Sequence, residues 1–148
     1  MLSGRPELGT PVYAATFIRE RRIVLESEVL DHPETLPLIA IHEIFHFVWT
    51  GLGNRARHEY SELLRCEWEQ RAKGELGESS SLKKERLRPG RFDPLSSRAG
   101  RDYACESFCD TAAAIYSGVA DSNWFTLAQR WKKRRERWFE ERFLPAIH

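Results

Sequence analysis

The sequence predicts a mixed α+β domain, and three observations carry that prediction. Two short runs rich in β-branched and aromatic residues stand near the N-terminus. A nearly continuous apolar run follows them, and the second half carries long stretches with helical periodicity. At 148 residues the chain has the length of one domain, read here as spanning 1–148. Such a length can bury roughly two-thirds of the unfolded surface. A 41% hydrophobic content excludes a wholly disordered chain.

Residues 1–11 hold two prolines and two glycines and read as an irregular lead-in. Tyr13 to Ile18 is the first β-prone stretch. Ile23, Val24 and Leu25, with Val29 and Leu30, form the second. The charged run Arg19-Glu20-Arg21-Arg22 separates them, so a hairpin or two consecutive edge strands are expected, the alternative being one longer strand interrupted by a charged bulge, with no Asn-Gly or Asp-Gly to set the register. Pro33 and Pro37 mark a helix entry near Thr35. Leu38 to Thr50 then reads LIAIHEIFHFVWT, apolar nearly all round, which predicts a centrally buried helix stopped by Gly51 and Gly53. From Asn54 to Leu76, apolar residues at Tyr60, Leu63, Leu64 and Trp68 predict a mostly solvated helix. Residues 77–100 are rich in Gly, Ser, Pro and Arg and are expected to form a long surface loop. Asp102 to Ser117 is an Ala-rich helix ending at Gly118. A last amphipathic helix is expected over 122–143, with Trp124, Trp131 and Trp138 along its buried stripe.

Lys plus Arg number 23 and Asp plus Glu 22, and this near-neutral balance argues against a dedicated nucleic-acid binder. The run Lys132-Lys133-Arg134-Arg135 is interleaved with Glu136, Glu140 and Glu141 and reads as a solvated helix face. No apolar run reaches the ~20 residues of a membrane helix, so no membrane partner is expected. The N-terminus lacks the apolar segment of a secretory signal. Three cysteines suit a reducing compartment better than a disulfide framework, and a cytoplasmic protein is expected. There is no glycine-rich phosphate loop and no serine nucleophile elbow. The oligomeric state has no signature in the sequence.

The sharp chemistry lies in His42-Glu43-Ile44-Phe45-His46. On a helix, positions i and i+4 share a face, so both imidazoles can meet one metal ion. Glu43 is rotated off that pair, within reach of a water on the metal. Two imidazoles and a carboxylate inside an apolar run would cost several kcal/mol if left without partners. A catalytic zinc site usually has three protein ligands. The third could come from His58, Asp102, Cys105, Glu106, Cys109, Asp110 or His148. Leu52 stands where the longer HExxHxxGxxH motif would place its histidine. Glu106 is the best placed, because it sits in the Ala-rich helix with Asp110 one turn later on the same face. One acid can then bind metal while the other accepts a hydrogen bond from a ligand histidine. Cys105 and Cys109 read as small buried residues or alternative ligands.

His42-Glu43-x-x-His46 followed by Glu106-x-x-x-Asp110 resembles the gluzincin group of zinc metallopeptidases. The resemblance covers roughly residues 12–118 and extends to small single-domain zincins, including the ImmA/IrrE-like peptidases. It implies a zincin-like fold, with a small sheet packed on the zinc-binding helix and a helical C-terminal half. It also implies one Zn²⁺ ion held by His42, His46 and Glu106, Glu43 as general base, Asp110 orienting His42, and a peptide or protein substrate. Two features depart from the pattern. One C-terminal helix replaces a large subdomain. No downstream histidine matches the transition-state donor, and Tyr103, Tyr116, Tyr60 and His58 stand as substitutes. Two alternatives stay open: a non-hydrolytic zincin scaffold used for binding or regulation, and a zinc hydrolase of non-peptide amides.

Overall fold

A computed structural model describes residues 14–87, 93 and 96–143. The architecture is mixed α+β and mostly helical, with one small sheet. Strands β1 (Ala14–Phe17) and β2 (Arg22–Leu25) pair antiparallel, with Ala14 opposite Leu25 and Phe17 opposite Arg22. The register that the sequence left open is set by a four-residue turn. Arg21 adopts a left-handed conformation there (φ 50°) and its N–H donates to the Ile18 carbonyl. Val29 and Leu30 do not extend the second strand. They lie in a single 3-10 turn, Ser27–Asp31, which buries Val29 and leaves Leu30 exposed.

Helix α1 spans Leu36–Gly51, with Pro37 in its first turn where no intrahelical N–H is needed. It packs along α4 (Arg98–Tyr116), with the hairpin against it through β1. The expected all-round burial of α1 is not observed. Its apolar side chains are half-buried or, as with Ile44 at 45%, exposed. Its buried side chains are instead His42, Glu43 and His46. The helix is covered along its α4 face and by β1, and these three residues lie on those faces.

Helix α2 (Asn54–Glu69) is shorter than its periodicity suggests, and its buried face carries Tyr60 and Leu64 but also Glu67. The expected loop over 77–100 is corrected in its first half, where Glu78–Glu85 forms helix α3 on α4. Leu76, Ser80 and Leu87 are buried there. Most of the remainder, 88–92 and 94–95, lies outside the described residues. Helix α4 is the centre of the molecule, with almost every side chain from Tyr103 to Ala114 buried. Ser97 caps it by accepting from the Gly100 N–H at 3.0 Å.

The last helix, α5, spans Gln129–Phe143, so the segment before it, including the exposed Trp124, is not helical. That segment is held otherwise. The N–H groups of Thr126 and Leu127 both donate to the Glu75 carbonyl, at 2.8 and 3.0 Å. Gly74 makes this approach possible, because its φ of +88° is strained for other residues and a Cβ would overlap Thr126. Trp131 is buried and Trp138 half-buried. Phe108, Phe139, Tyr60 and Leu64 form the main core, with Phe108 and Phe139 stacked at 5.1 Å.

Candidate metal centre

His42 and His46 lie one turn apart on α1, and their Nε2 atoms are 3.2 Å from each other. Glu106 reaches them from α4, its Oε2 3.1 Å from His42 Nε2 and 3.7 Å from His46 Nε2. These three edges define a compact triangle. Donors bound at 2.0–2.2 Å with tetrahedral angles stand about 3.3–3.6 Å apart, so the triangle, with edges of 3.1, 3.2 and 3.7 Å, is close in size to one face of such a site. Glu106 is 1% exposed, and neither of its carboxylate oxygens accepts a hydrogen bond among the described residues. A buried carboxylate without donors is costly, and a cation at the triangle would satisfy it. Cys109 supplies a second triad: its sulfur lies within 4.8 Å of one nitrogen of each imidazole. Glu106 fits better, because its contacts are shorter and neither of its oxygens has a hydrogen-bond donor among the described residues.

Asp110 lies one turn beyond Glu106. Its Oδ1 is 2.6 Å from His42 Nδ1, and its Oδ2 accepts the Ser80 N–H at 2.8 Å. Burial would raise the Asp110 carboxyl, but contact with His42 and the Ser80 bond hold it below the ordinary aspartate value. An ionised Asp110 can only accept, so His42 donates from Nδ1 and turns Nε2 toward Glu106. Burial pulls His42 down, yet the charge and hydrogen bonding of Asp110 outweigh it and, with Glu106, raise His42 well above its usual value. His46 is also raised, through Cys105 and Glu106 against the effect of burial.

Two residues at the centre, Thr16 and Ser80, carried no assignment from sequence, and a third, Cys105, was read only as a small buried residue or an alternative ligand. Thr16 on β1 is fully buried and places its hydroxyl on the Glu43 carboxylate and, at 3.0 Å, on the Glu43 main-chain carbonyl. Cys105 lies with its sulfur 3.6 Å from His46 Nδ1, the position that Asp110 holds at His42. Contact with Cys109 and then with His46 holds the Cys105 thiol down at about 6. Ser80 lies in the first turn of α3, which has no side-chain cap of its own. Asp110 supplies that cap from another helix, and a Cβ at Gly77 would overlap its carboxyl group. Only the i, i+4 spacing of the two cysteines was visible in sequence. Thr16 and Ser80 gave no signal.

The proposed oxyanion donors are not gathered at the centre. The Tyr103 hydroxyl donates to Glu75, and the Tyr60 hydroxyl lies 2.9 Å from Ser107 and 3.1 Å from Thr111. Burial raises both phenols further. Tyr116 stacks on Phe45 at 5.6 Å, and its hydroxyl has no hydrogen-bond partner among the described residues. His58 is exposed on α2 beside a cavity of about 350 Å³ lined by Trp49, Arg57 and Arg101, and it makes no polar contact with His42, His46 or Glu106. Asp102 is half-buried on α4 and likewise makes none. His148 lies outside the described residues.

No family model matches the chain, and neither does any curated protein or solved structure. The likeness to zincins therefore rests on the motif and on the geometry of its own residues. Among the described residues, no helix is long and apolar enough to cross a membrane.

Proposed function

We propose that the protein is a minimal zincin-like, zinc-dependent metallopeptidase of the cytoplasm. The observation that carries this reading is the convergence of His42, His46 and the donor-less Glu106 on one triangle, with Glu43 on the same helix as both imidazoles. His42, His46 and Glu106 would hold the ion. Two imidazoles and one carboxylate in a tetrahedral arrangement are a donor set that suits zinc. A divalent ion bound there supplies Lewis acidity, which polarises a carbonyl and acidifies water.

The remaining work falls to the chain's own groups. Asp110 keeps His42 in the Nδ1–H tautomer, leaving Nε2 free as a ligand atom. Cys105 takes the corresponding place at His46. Glu43 accepts a proton from the attacking water and returns it to the leaving amine. The Thr16 hydroxyl fixes the Glu43 side chain against β1, so the strand and the base are positioned together. An extended peptide adding to that small sheet would lie beside the base, which favours a peptide substrate.

The test is a peptide-library hydrolysis assay on purified protein, with metal content measured on the same samples. Activity should require about one zinc per chain and vanish with a chelator. Glu43→Gln should keep the metal and lower hydrolysis by ~10²–10⁴-fold. Bound zinc with no hydrolysis of any peptide would favour the binding-scaffold alternative. Hydrolysis confined to non-peptide amides would favour the other.

A further inference from the structure

Helix α5 carries a set of cations that neither the core nor the metal centre uses. It contains seven Lys or Arg against three Glu, whereas the rest of the chain has sixteen against nineteen. The near-neutral total therefore hides a helix of net charge +4 on a remainder of −3. The buried side of α5 is Trp131, Arg135 and Phe139. At 100° per residue, Arg130, Lys133, Arg134 and Arg137 fall together on the opposite side. All four are exposed, and none has a carboxylate within 4 Å among the described residues. Arg71 and Lys73, exposed and equally unpaired, flank Ala72, which packs in the same small cluster as Trp131.

Fold stability does not account for this stripe. Arg130, Lys133 and Arg134 lie within the first six positions of α5, with no acid in the first turn. The N-terminal end of a helix carries partial positive charge, so cations there are placed against the dipole. The Arg130 guanidinium lies over the Trp131 ring at 4.6 Å and the Arg134 guanidinium at 5.9 Å; Arg134 also reaches Cys66. Both charges are thereby held in defined positions while remaining exposed.

We propose that this stripe is a docking surface for the phosphate backbone of nucleic acid. Arg130 to Arg137 spans roughly 10 Å of helix, enough for about three phosphates of one strand. Four of the six cations are arginines, whose planar fork pairs with phosphate oxygens in two-point fashion. No exposed apolar side chain interrupts the α5 stripe, whereas surface helices that enter a bilayer carry apolar residues beside their basic ones. The stripe ends at Glu140 and Glu141, which confines the contact to the first half of the helix. This inference does not depend on the metallopeptidase reading, and Glu43→Gln should bind as the parent does.

The probe is a duplex DNA of about 20 base pairs and arbitrary sequence, titrated across a salt series, with phosphatidylserine vesicles as the second arm. Binding should weaken with salt with a log–log slope of about −4 to −5, the value for four to six phosphate contacts. The triple variant Arg130→Gln, Arg134→Gln, Arg137→Gln should lose at least tenfold in affinity and flatten the slope by about 2 to 3, with an unchanged circular dichroism spectrum. Lys132→Gln, off the stripe and paired with Glu136, should change little. Failure to bind the duplex at low salt would overturn the proposal. So would equal binding by the triple variant, or vesicle binding in place of duplex binding.

Discussion

Two buried ionic clusters lie among the described residues, and they differ in how their carboxylates are satisfied. In the first, Arg135 of α5 is 0% exposed and donates to Glu67 at 2.7 and 3.0 Å and to Glu75 at 2.9 and 3.1 Å. Lys84 stands 3.8 Å from Glu75, and Tyr103 and Thr111 complete the network. Two cations face two carboxylates, and every carboxylate oxygen has a donor. In the second, Glu106 and Asp110 stand against two imidazoles with no Lys or Arg ion pair among the described residues, and both Glu106 oxygens lack donors. Burial of charge is tolerable when the geometry satisfies it, as in the first cluster. The second has no such cation, and that difference is what the proposed metal site would account for.

That comparison can be broken. The largest effect is expected from Arg135→Met, which leaves Glu67 buried without a cation and Glu75 with only Lys84 and the Tyr103 hydroxyl. Stability should fall by about 3–5 kcal/mol in denaturant titrations, while zinc per folded chain stays unchanged. A smaller loss would mean that water or Lys84 compensates the acids. Glu106→Gln should act with the opposite sign. In metal-free buffer it relieves an unsatisfied charge and should stabilise the protein by ~1–3 kcal/mol. With zinc at about a thousand times its dissociation constant, the parent should gain about 4 kcal/mol and the variant almost nothing. A Gln variant less stable than the parent without metal would show that Glu106 already has a partner.

The smallest effect is a response to pH. Burial pushes Glu75 up, but the Arg135 charge and its hydrogen bonds win, and its carboxyl lies below the ordinary glutamate value. A group depressed in the folded state contributes stability that is fully present above its unfolded pKa, near 4.3, and is lost as pH falls through the folded value. The stability gap between the parent and Glu75→Gln should therefore stay constant from neutral pH to about 5 and close only below the ordinary glutamate range. A gap that closes above pH 5 would show that Glu75 is not depressed.

The contrast also marks what could be read in advance. The two imidazoles and Glu43 were legible because a helical period brings them together within five residues, and Glu106 and Asp110 because their spacing puts them on one face of an Ala-rich helix. Helix α3 was not legible. It lacks a local cap and an apolar stripe, and its first turn is held by Asp110, thirty residues away in sequence. Arg135 read as one cation in a run of four, because nothing local distinguishes the member that faces the core.

Sequence alone determined the helical segments around the metal motif, the ligand pair on one helix face and the candidates for a third. Only the tertiary structure set Glu106 beside both imidazoles while leaving His58 and Asp102 without polar contact to them, brought Thr16 to Glu43, and divided the charged residues into neutralised, uncompensated and solvent-facing sets. Periodicity is a property of neighbours along the chain. The cost of a buried charge depends on which groups from distant segments stand around it, and that is set by how α4 and α5 pack.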